Sequence, residues 1–233
     1  MHISEIGFCS GHSASGVFVD DNARTTVPGL YAAGDMASVP HNYMLGAFTN
    51  GSVAGIDAME FADSHDFADF DASEIAVERE RVLAPTKRED GIPPNQIEYK
   101  TRRLVNDYLQ PPKVTAKYHL GMRRLAEVRE DMQERMIARN AHELLRALEV
   151  QSIMDCADMA AHASLYREES RWGLYHLRTD FPEKDNENWF CHTLLSKQNG
   201  KMTSEKRAVE PYVVPIADDE KDLYDKQRIR ASA

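Results

Sequence analysis

An acidic residue and a glycine-containing helix start lie close together near the beginning of the sequence. The short apolar stretch "GLYAA" runs into Gly34 and Asp35, and a small-residue helix is expected over residues 46–62. A carboxylate at the carboxyl edge of a sheet can accept hydrogen bonds from ligand hydroxyls. The first turn of a helix, here Gly46 to Asn50, favours negative charge on a bound ligand. A plain strand–loop–helix connection has the same pattern, so the pattern alone leaves both interpretations open.

Three kinds of segment would have to position these residues. Strand-like pieces at residues 16–19 and 30–33 are bounded by turn residues, which is typical of short strands. An acidic stretch follows the first helix, and either Asp71 or Ser73 can cap the helix after it. From about residue 73 to 168 the sequence is mostly of helical type, including a segment bracketed by prolines over residues 93–112.

Two apolar stripes within this helical region predict the core of a small bundle. A groove rich in methionine that binds a partner is the alternative interpretation. The first stripe comprises Met122, Leu125, Val128 (or Arg129), Met132 and Met136, and the second comprises Leu145, Leu148, Ala157, Ala161 and Leu165.

Composition excludes several classes of protein. The 233 residues include 42% apolar and 28% charged residues, as in ordinary globular proteins, and the net charge of -10 argues against nucleic-acid binding. No stretch approaches the ~20 apolar residues of a transmembrane helix, and the start lacks a signal-peptide pattern. The three cysteines are far apart and form no C-x-x-C pair, so we expect no metal or iron–sulfur site held by this chain alone. A cytoplasmic chain with reduced cysteines fits this composition.

The stretch "VPGLYAAGD" resembles the second flavin-binding signature of the FAD-dependent oxidoreductases of the succinate dehydrogenase and fumarate reductase flavoprotein type. In that family the acidic residue, here Asp35, binds the ribityl chain. The family's following loop reads roughly L-G-A-N-S-L, and the backbone of its last two positions contacts the isoalloxazine ring. The resemblance therefore implies FAD contacts from Gly34, Asp35, Leu45, Gly46, Ala47, Thr49 and Asn50.

A second block, "YREESRWGLYHLRTDFPEKDNENWFCHTLL", is similar to the same family's carboxyl-terminal signature in order and spacing. The matching residues are Arg167, Glu169, Ser170, Arg171, His176, Arg178, Asp180, Phe181, Trp189, His192 and Thr193. The set of His176, Arg178 and Asp180 could form an acid–base site, but the resemblance favours structural or interface roles. We also expect Glu169 and Arg171 to form a buried ion pair.

One departure from the family affects the expected substrate. Succinate and fumarate enzymes carry an arginine directly before the L-G-A of the loop, and this sequence has Met44, which cannot clamp a carboxylate. The stretch "GFCSGHSASGVFVD" instead resembles the adenylylsulfate reductase α-subunit branch, which makes His12 the candidate catalytic residue. A loop histidine without a catalytic role, or His2 in its place, are the alternatives.

The resemblance covers only about the last third of a family member, and no G-x-G-x-x-G phosphate turn occurs in the sequence. We therefore expect an α+β fragment: residues 1–62 as the carboxyl-terminal part of a Rossmann-like FAD-binding domain, 63–170 as a helical bundle, and 171–233 as an irregular, partner-facing segment. A fragment, a truncated or split reading frame, and one piece of a two-chain flavoprotein are all compatible with this layout.

The implied function is electron transfer between FAD, a substrate and a ferredoxin-like iron–sulfur subunit. The chain is expected to hold only an incomplete FAD site, to be inactive alone, and to need the missing amino-terminal portion of the flavin domain. It would approach a membrane only through a partner. Adenylylsulfate-reductase-like chemistry is the first expectation, and fumarate- or succinate-like chemistry is the second. The alternative is a non-catalytic helical interaction subunit.

Overall fold

The computed structural model describes residues 15–39, 44–66, 69–171, 173 and 176–209. The described part of the chain forms two compact units, which are called here the first unit (within residues 15–79) and the helical unit (within residues 80–209). Both candidate histidines, His2 and His12, lie outside the described residues.

Helices dominate the described part of the chain, and a two-stranded sheet follows them. The helices are α1 (Met44–Ser64), α2 (Ala72–Leu83), α3 (Pro94–Leu104), α4 (Thr115–Arg135), α5 (Ala141–Tyr166) and the short α6 (Asn186–Trp189), with 3-10 turns at Gly34–Met36 and Ala84–Lys87 and a π turn at Val105–Leu109. The strands β1 (Cys191–Gln198) and β2 (Lys201–Ala208) pair antiparallel. No helix among the described residues is long and apolar enough to cross a membrane.

The predicted strands of the first unit are wrong for its described residues. Residues 16–19 and 30–33 contribute only isolated bridges, Val17 to Ala37 and Arg24 to Tyr31. A ladder needs successive pairs along two chains, and each of these bridges is a single pair. The helix predicted over 46–62 is confirmed as α1. The predicted capping of α2 is confirmed for Asp71, whose Oδ1 accepts from the Ser73 N–H at 2.7 Å.

The helical unit has its core between α3, α4 and α5, as the bundle prediction requires. The methionine stripe of α4 is confirmed, since Leu125, Val128, Met132 and Met136 are all buried. The central cluster comprises Ile92, Ile97, Val128, Met132, Met136, Ala147, Val150 and Met154.

The apolar face assigned to the first half of α5 is wrong by two residues. Leu145 is 55% exposed, whereas Ala147, Val150 and Met154 are fully buried. Apolar residues crowd this half of the helix, so two different faces satisfy the three- and four-residue spacing. The face with Ala147, Val150 and Met154 packs into the cluster with Ile97 of α3 and Met132 of α4.

The irregular structure predicted for residues 171–233 is wrong over β1 and β2. A two-residue turn, Asn199–Gly200, joins the strands, and both residues have positive φ, 50° and 78°. Asn-Gly is the strongest short hairpin signal because both residues tolerate the left-handed conformation of a type I′ turn. This signal is present in the sequence as "QNGK" and marks the hairpin.

Candidate functional site

The structure brings the two sequence-predicted flavin segments together within the first unit. Gly34 is buried, has a φ of 63° and opens the 3-10 turn. A Cβ placed on Gly34 would lie 3.2 Å from the Cβ of Ala47 in the first turn of α1. A side chain at position 34 would therefore push this turn away from α1 and would also strain the backbone.

Polar and apolar side chains near this contact are exposed. Asp35 is exposed directly after Gly34. Met44, Leu45 and Phe48 in the first turns of α1 are 75%, 79% and 71% exposed. The Thr49 hydroxyl donates to the Leu45 carbonyl at 2.9 Å, so its side chain is occupied within the helix.

This arrangement fits one edge of a flavin. The first N–H groups of a helix have no acceptors within the helix, so they are available to a ligand. The apolar side chains suit a flat aromatic ring, and the Asp35 carboxylate suits ligand hydroxyls. Gly46, Ala47 and Asn50 are half-buried in the same two turns.

Asp57 of α1 binds Arg24 and Tyr31, which precede Gly34 in the chain. Its Oδ2 accepts from Arg24 Nε at 2.6 Å and from the Tyr31 hydroxyl at 2.6 Å, and its Oδ1 accepts from Arg24 Nη2 at 2.7 Å. The Arg24 hydrogen bonds and then that of Tyr31 hold the pKa of Asp57 below its usual value, and the same carboxylate raises the pKa of Tyr31. Sequence reasoning missed this group, because a single Asp within a helix carries no motif.

In the helical unit, Arg178 closes the carboxyl end of α5. Its side chain is fully buried, and its Nη1 donates to the carbonyls of Ser164 and Arg167 at 2.8 and 3.0 Å. These carbonyls lie at the negative end of the helix dipole, where they have no partners within the helix. Arg178 also makes a two-point contact with Asp180, at 2.9 and 2.8 Å.

Asp180 closes the amino end of α4 in the same way. Its Oδ2 accepts from the Thr115 N–H at 2.8 Å and also from the Thr115 hydroxyl. The Arg178 guanidinium, and then Thr115, hold the pKa of Asp180 far below its usual range. A single ion pair therefore caps two helix ends of opposite polarity.

His176 is held as a neutral ring beside a buried lysine. The Lys113 ammonium donates to the Ser164 hydroxyl at 2.9 Å and faces His176 Nδ1 at 3.2 Å. An ammonium has only donors, so Nδ1 must be the acceptor, and the proton on Nε2 points to the Arg167 carbonyl at 3.3 Å. Burial, and then the Lys113 charge, lower the pKa of His176 to about 4. Burial, and then Arg178, lower the pKa of Lys113 to about 8.

The expected ion pair of Glu169 and Arg171 is confirmed. Arg171 donates to both Glu169 oxygens at 2.6 and 2.8 Å, and Arg167 adds a bond of 2.5 Å. Glu169 is fully buried, so its charge is tolerated only because these donors surround it. The groups of this cluster are thus engaged with helix ends and with each other, as in structural ionic networks. No three His, Cys, Asp or Glu side chains in the described part of the chain are grouped to hold a metal.

Comparison with known proteins identifies relatives over most of the chain. A family model described as fumarate reductase flavoprotein C-term matches residues 100–221. The fumarate reductase flavoprotein subunit of Mycobacterium tuberculosis (strain H37Rv) is 27% identical over 219 residues, which cover 79% of this chain and 34% of that protein. An uncharacterized FAD-dependent oxidoreductase of Methanocaldococcus jannaschii is 25% identical, with 84% and 36% covered.

Solved structures agree with these relatives. Adenylylsulfate reductase of Archaeoglobus fulgidus matches with a TM-score of 0.75 and 26% identity, over 81% of this chain and 33% of that one. The quinol fumarate reductase FrdA chain of E. coli matches with a TM-score of 0.79 over 89% and 38%; at 22% identity it supports the fold alone. This chain spans about a third of the length of the curated relatives it matches. Since the family model covers more than half of its residues, the chain belongs to the family of carboxyl-terminal regions of fumarate reductase flavoproteins.

Proposed function

We propose that this chain is the carboxyl-terminal portion of an FAD-dependent oxidoreductase and that residues 1–62 supply part of its FAD site. The observation that supports the proposal is the close approach of Gly34 to Ala47 in the first turn of α1, since Asp35 directly follows Gly34. Bound FAD would supply hydride or single-electron transfer. Residues 63–170 would form the helical bundle domain, and 171–233, including the hairpin, the segment that faces a partner.

In this proposal each flavin-facing residue has a simple task. The Asp35 carboxylate accepts hydrogen bonds from ribityl hydroxyls. The first backbone N–H groups of α1, at Leu45 and Gly46, stabilise negative charge on the reduced ring, as a helix start favours anions. Gly34 allows the backbone to approach without a clashing side chain. Residues 1–62 would then be the last part of a Rossmann-like FAD-binding domain.

Exposed apolar side chains on α1 support the proposal that another portion of the flavin domain covers this helix. Ile56 and Met59 of α1 are 57% and 61% exposed, in addition to the residues of its first turns. Apolar surface of this extent is normally covered by another protein surface. The amino-terminal portion of the flavin domain, which carries the phosphate turn in the family, is the partner proposed for it.

The substrate proposed is of the adenylylsulfate type rather than a dicarboxylate. Met44 is an exposed apolar side chain where the family's succinate and fumarate enzymes place an arginine, so a bidentate carboxylate contact is unavailable at this position. The likeness to adenylylsulfate reductase of A. fulgidus supports the same choice. His12 remains the proposed substrate-facing residue. Electrons would pass to or from a ferredoxin-like iron–sulfur subunit, in a cytoplasmic complex that reaches a membrane only through a partner.

Replacing Asp35 with alanine is expected to weaken FAD binding about tenfold or more in the enzyme that contains this chain, since hydrogen bonds to a charged group are lost. Flavin content per protein and the Kd for FAD are the measurements. Asp131→Asn is the matched control, because it removes a carboxylate from exposed ion pairs of the helical unit. Unchanged flavin with impaired assembly would contradict the proposal and favour a non-catalytic helical interaction subunit.

Purified by itself, the 233-residue chain is expected to carry little or no FAD. It contributes no G-x-G-x-x-G turn to hold the pyrophosphate, which provides much of the recognition of this dinucleotide. The flavin absorbance of the purified chain, compared with its protein concentration, checks this expectation. A stoichiometric amount of flavin would show that the chain holds FAD without that turn.

A further inference from the structure

The carboxylate of Asp57 joins α1 to the segment that leads into the proposed flavin site. The residue is only 8% exposed, and its two oxygens receive three hydrogen bonds, all from Arg24 and Tyr31. Arg24 and Tyr31 belong to one loop, residues 23–34, and Tyr31 lies three residues before Gly34. Asp57, Arg24 and Tyr31 are called here the Asp57 clamp.

Backbone hydrogen bonds within residues 23–34 hold together the loop that the clamp contacts. Arg24 and Tyr31 face each other across an antiparallel bridge. The Thr25 N–H donates to the Leu30 carbonyl at 3.0 Å, and the Ala32 N–H donates to the Ala23 carbonyl at 3.1 Å. Arg24 and Tyr31 therefore act on Asp57 as one piece, and a displacement at Asp57 would be transmitted along the loop towards Gly34.

A second contact ties the same segment to the start of α1. It is the close approach of Gly34 to Ala47. With a rise of 1.5 Å per residue, Ala47 and Asp57 lie about 15 Å apart along the helix. Two contacts at that separation fix both the distance and the direction of the segment relative to α1, which a single contact does not do.

We propose that Asp57, with Arg24 and Tyr31, is a positioning residue of the FAD site: it sets where Gly34 and Asp35 stand relative to the first turn of α1. The inference rests on the proposed function. Asp57 itself lies far along the helix from the flavin-facing turn, so it acts through the loop and not by touching the cofactor. The pKa of Asp57 is lowered by Arg24 and Tyr31, so the clamp stays ionised at neutral pH.

The test uses the flavoenzyme that contains this chain and compares Asp57→Asn with the wild type. The asparagine has the same shape but lacks the charge that Arg24 grips at two points. FAD binding is expected to weaken about tenfold, the usual scale for losing hydrogen bonds to a charged group. The visible circular dichroism of the flavin that remains bound should also change, since the ring would sit in an altered environment. Tyr31→Phe removes one of the three bonds and should give a smaller change in the same direction.

A readout without cofactor is hydrogen exchange of the same variants. In the wild type, the Ala37 N–H donates to the Gly34 carbonyl at 3.0 Å, beyond the reach of the clamp residues. If the clamp positions the site, Asp57→Asn should speed exchange at Ala37 as well as at Ala32. Asp131→Asn, in the helical unit, should change neither exchange nor flavin binding.

The outcomes separate the two proposals. If Asp35→Ala loses flavin while Asp57→Asn keeps the wild-type Kd and visible spectrum, the positioning role is overturned and the proposed function stands. If the wild-type enzyme binds no FAD, the proposed function fails and the positioning role fails with it. Faster exchange at Ala32 alone, with unchanged flavin binding, would show that the clamp holds only its own loop and does not position the FAD site.

Discussion

Arg178→Ala is expected to lower the free energy of unfolding of the helical unit by about 3 kcal/mol, because buried carbonyls left without a donor cost about 1–3 kcal/mol each. The guanidinium is fully buried and bonded to Asp180, to the Thr115 hydroxyl and to the last carbonyls of α5. Alanine would leave the Asp180 carboxylate without its cation and the α5 carbonyls without donors. The carbonyls would be unpaired at a buried site, and the partly exposed carboxylate would lose its cationic partner.

Urea unfolding followed by tryptophan fluorescence measures this loss. Trp189 is buried in the helical unit, so its fluorescence reports on that unit. The control is Arg124→Ala, whose ion pair with Glu127 is half-exposed on both sides and should change stability by about 0.5 kcal/mol or less. Arg178→Lys keeps the charge but not the planar two-point contact and should fall between the two. An Arg178→Ala loss no larger than the control would contradict the capping role.

Lowering the pH from about 6.5 to about 4 is expected to remove up to about 3 kcal/mol of stability from the helical unit through His176 alone. Its ring is neutral when folded, with a pKa of about 4, and titrates near 6.5 when unfolded. Between these values the unfolded chain binds more protons, so this contribution is fully present above pH 6.5 and is lost as the pH falls towards 4. The facing charges, Lys113, Arg167 and Arg178, are all cationic, and each disfavours a second positive charge.

His176→Gln tests the origin of this dependence, because glutamine cannot take up a proton. The variant should show a flatter change of unfolding free energy between pH 6.5 and 5 than the wild type. His119→Gln, which alters an exposed imidazole on α4, is the control and should keep the wild-type slope. Equal slopes for the wild type and His176→Gln would show that folding does not shift the pKa of this ring.

The sequence predicts the helices of this protein well, because their boundaries have local chemical causes. Prolines bracket the segment of α3, and Asp71 caps α2 through its own side chain. The stripe of α4 places Met132 and Met136 in the core because only one apolar face is available there. Which face of α5 packs inward depends on how closely α3 approaches, and this is not a local property of the sequence. The burial predicted for Leu145 is wrong for that reason.

The buried cluster could be predicted only in part. Glu169 and Arg171 are two residues apart, so their pairing follows from sequence proximity and from the family signature. Lys113 meets His176 across 63 residues of chain, and no motif marks the lysine. In the first unit, the clamp on Asp57 likewise depends on partners 33 and 26 residues away. Long-range polar contacts of this kind become visible only once the helices are packed.

The double cap formed by Arg178 and Asp180 has a consequence for how the chain folds during synthesis. Helices α4 and α5 leave the ribosome before the residues that satisfy their ends, since the contact between Thr115 and Arg178 spans 63 residues. Closing so long a loop costs chain entropy that only a nearly complete bundle can offset. The helix ends therefore remain hydrated in the nascent chain, and the helical unit completes its folding only after Asp180 has emerged.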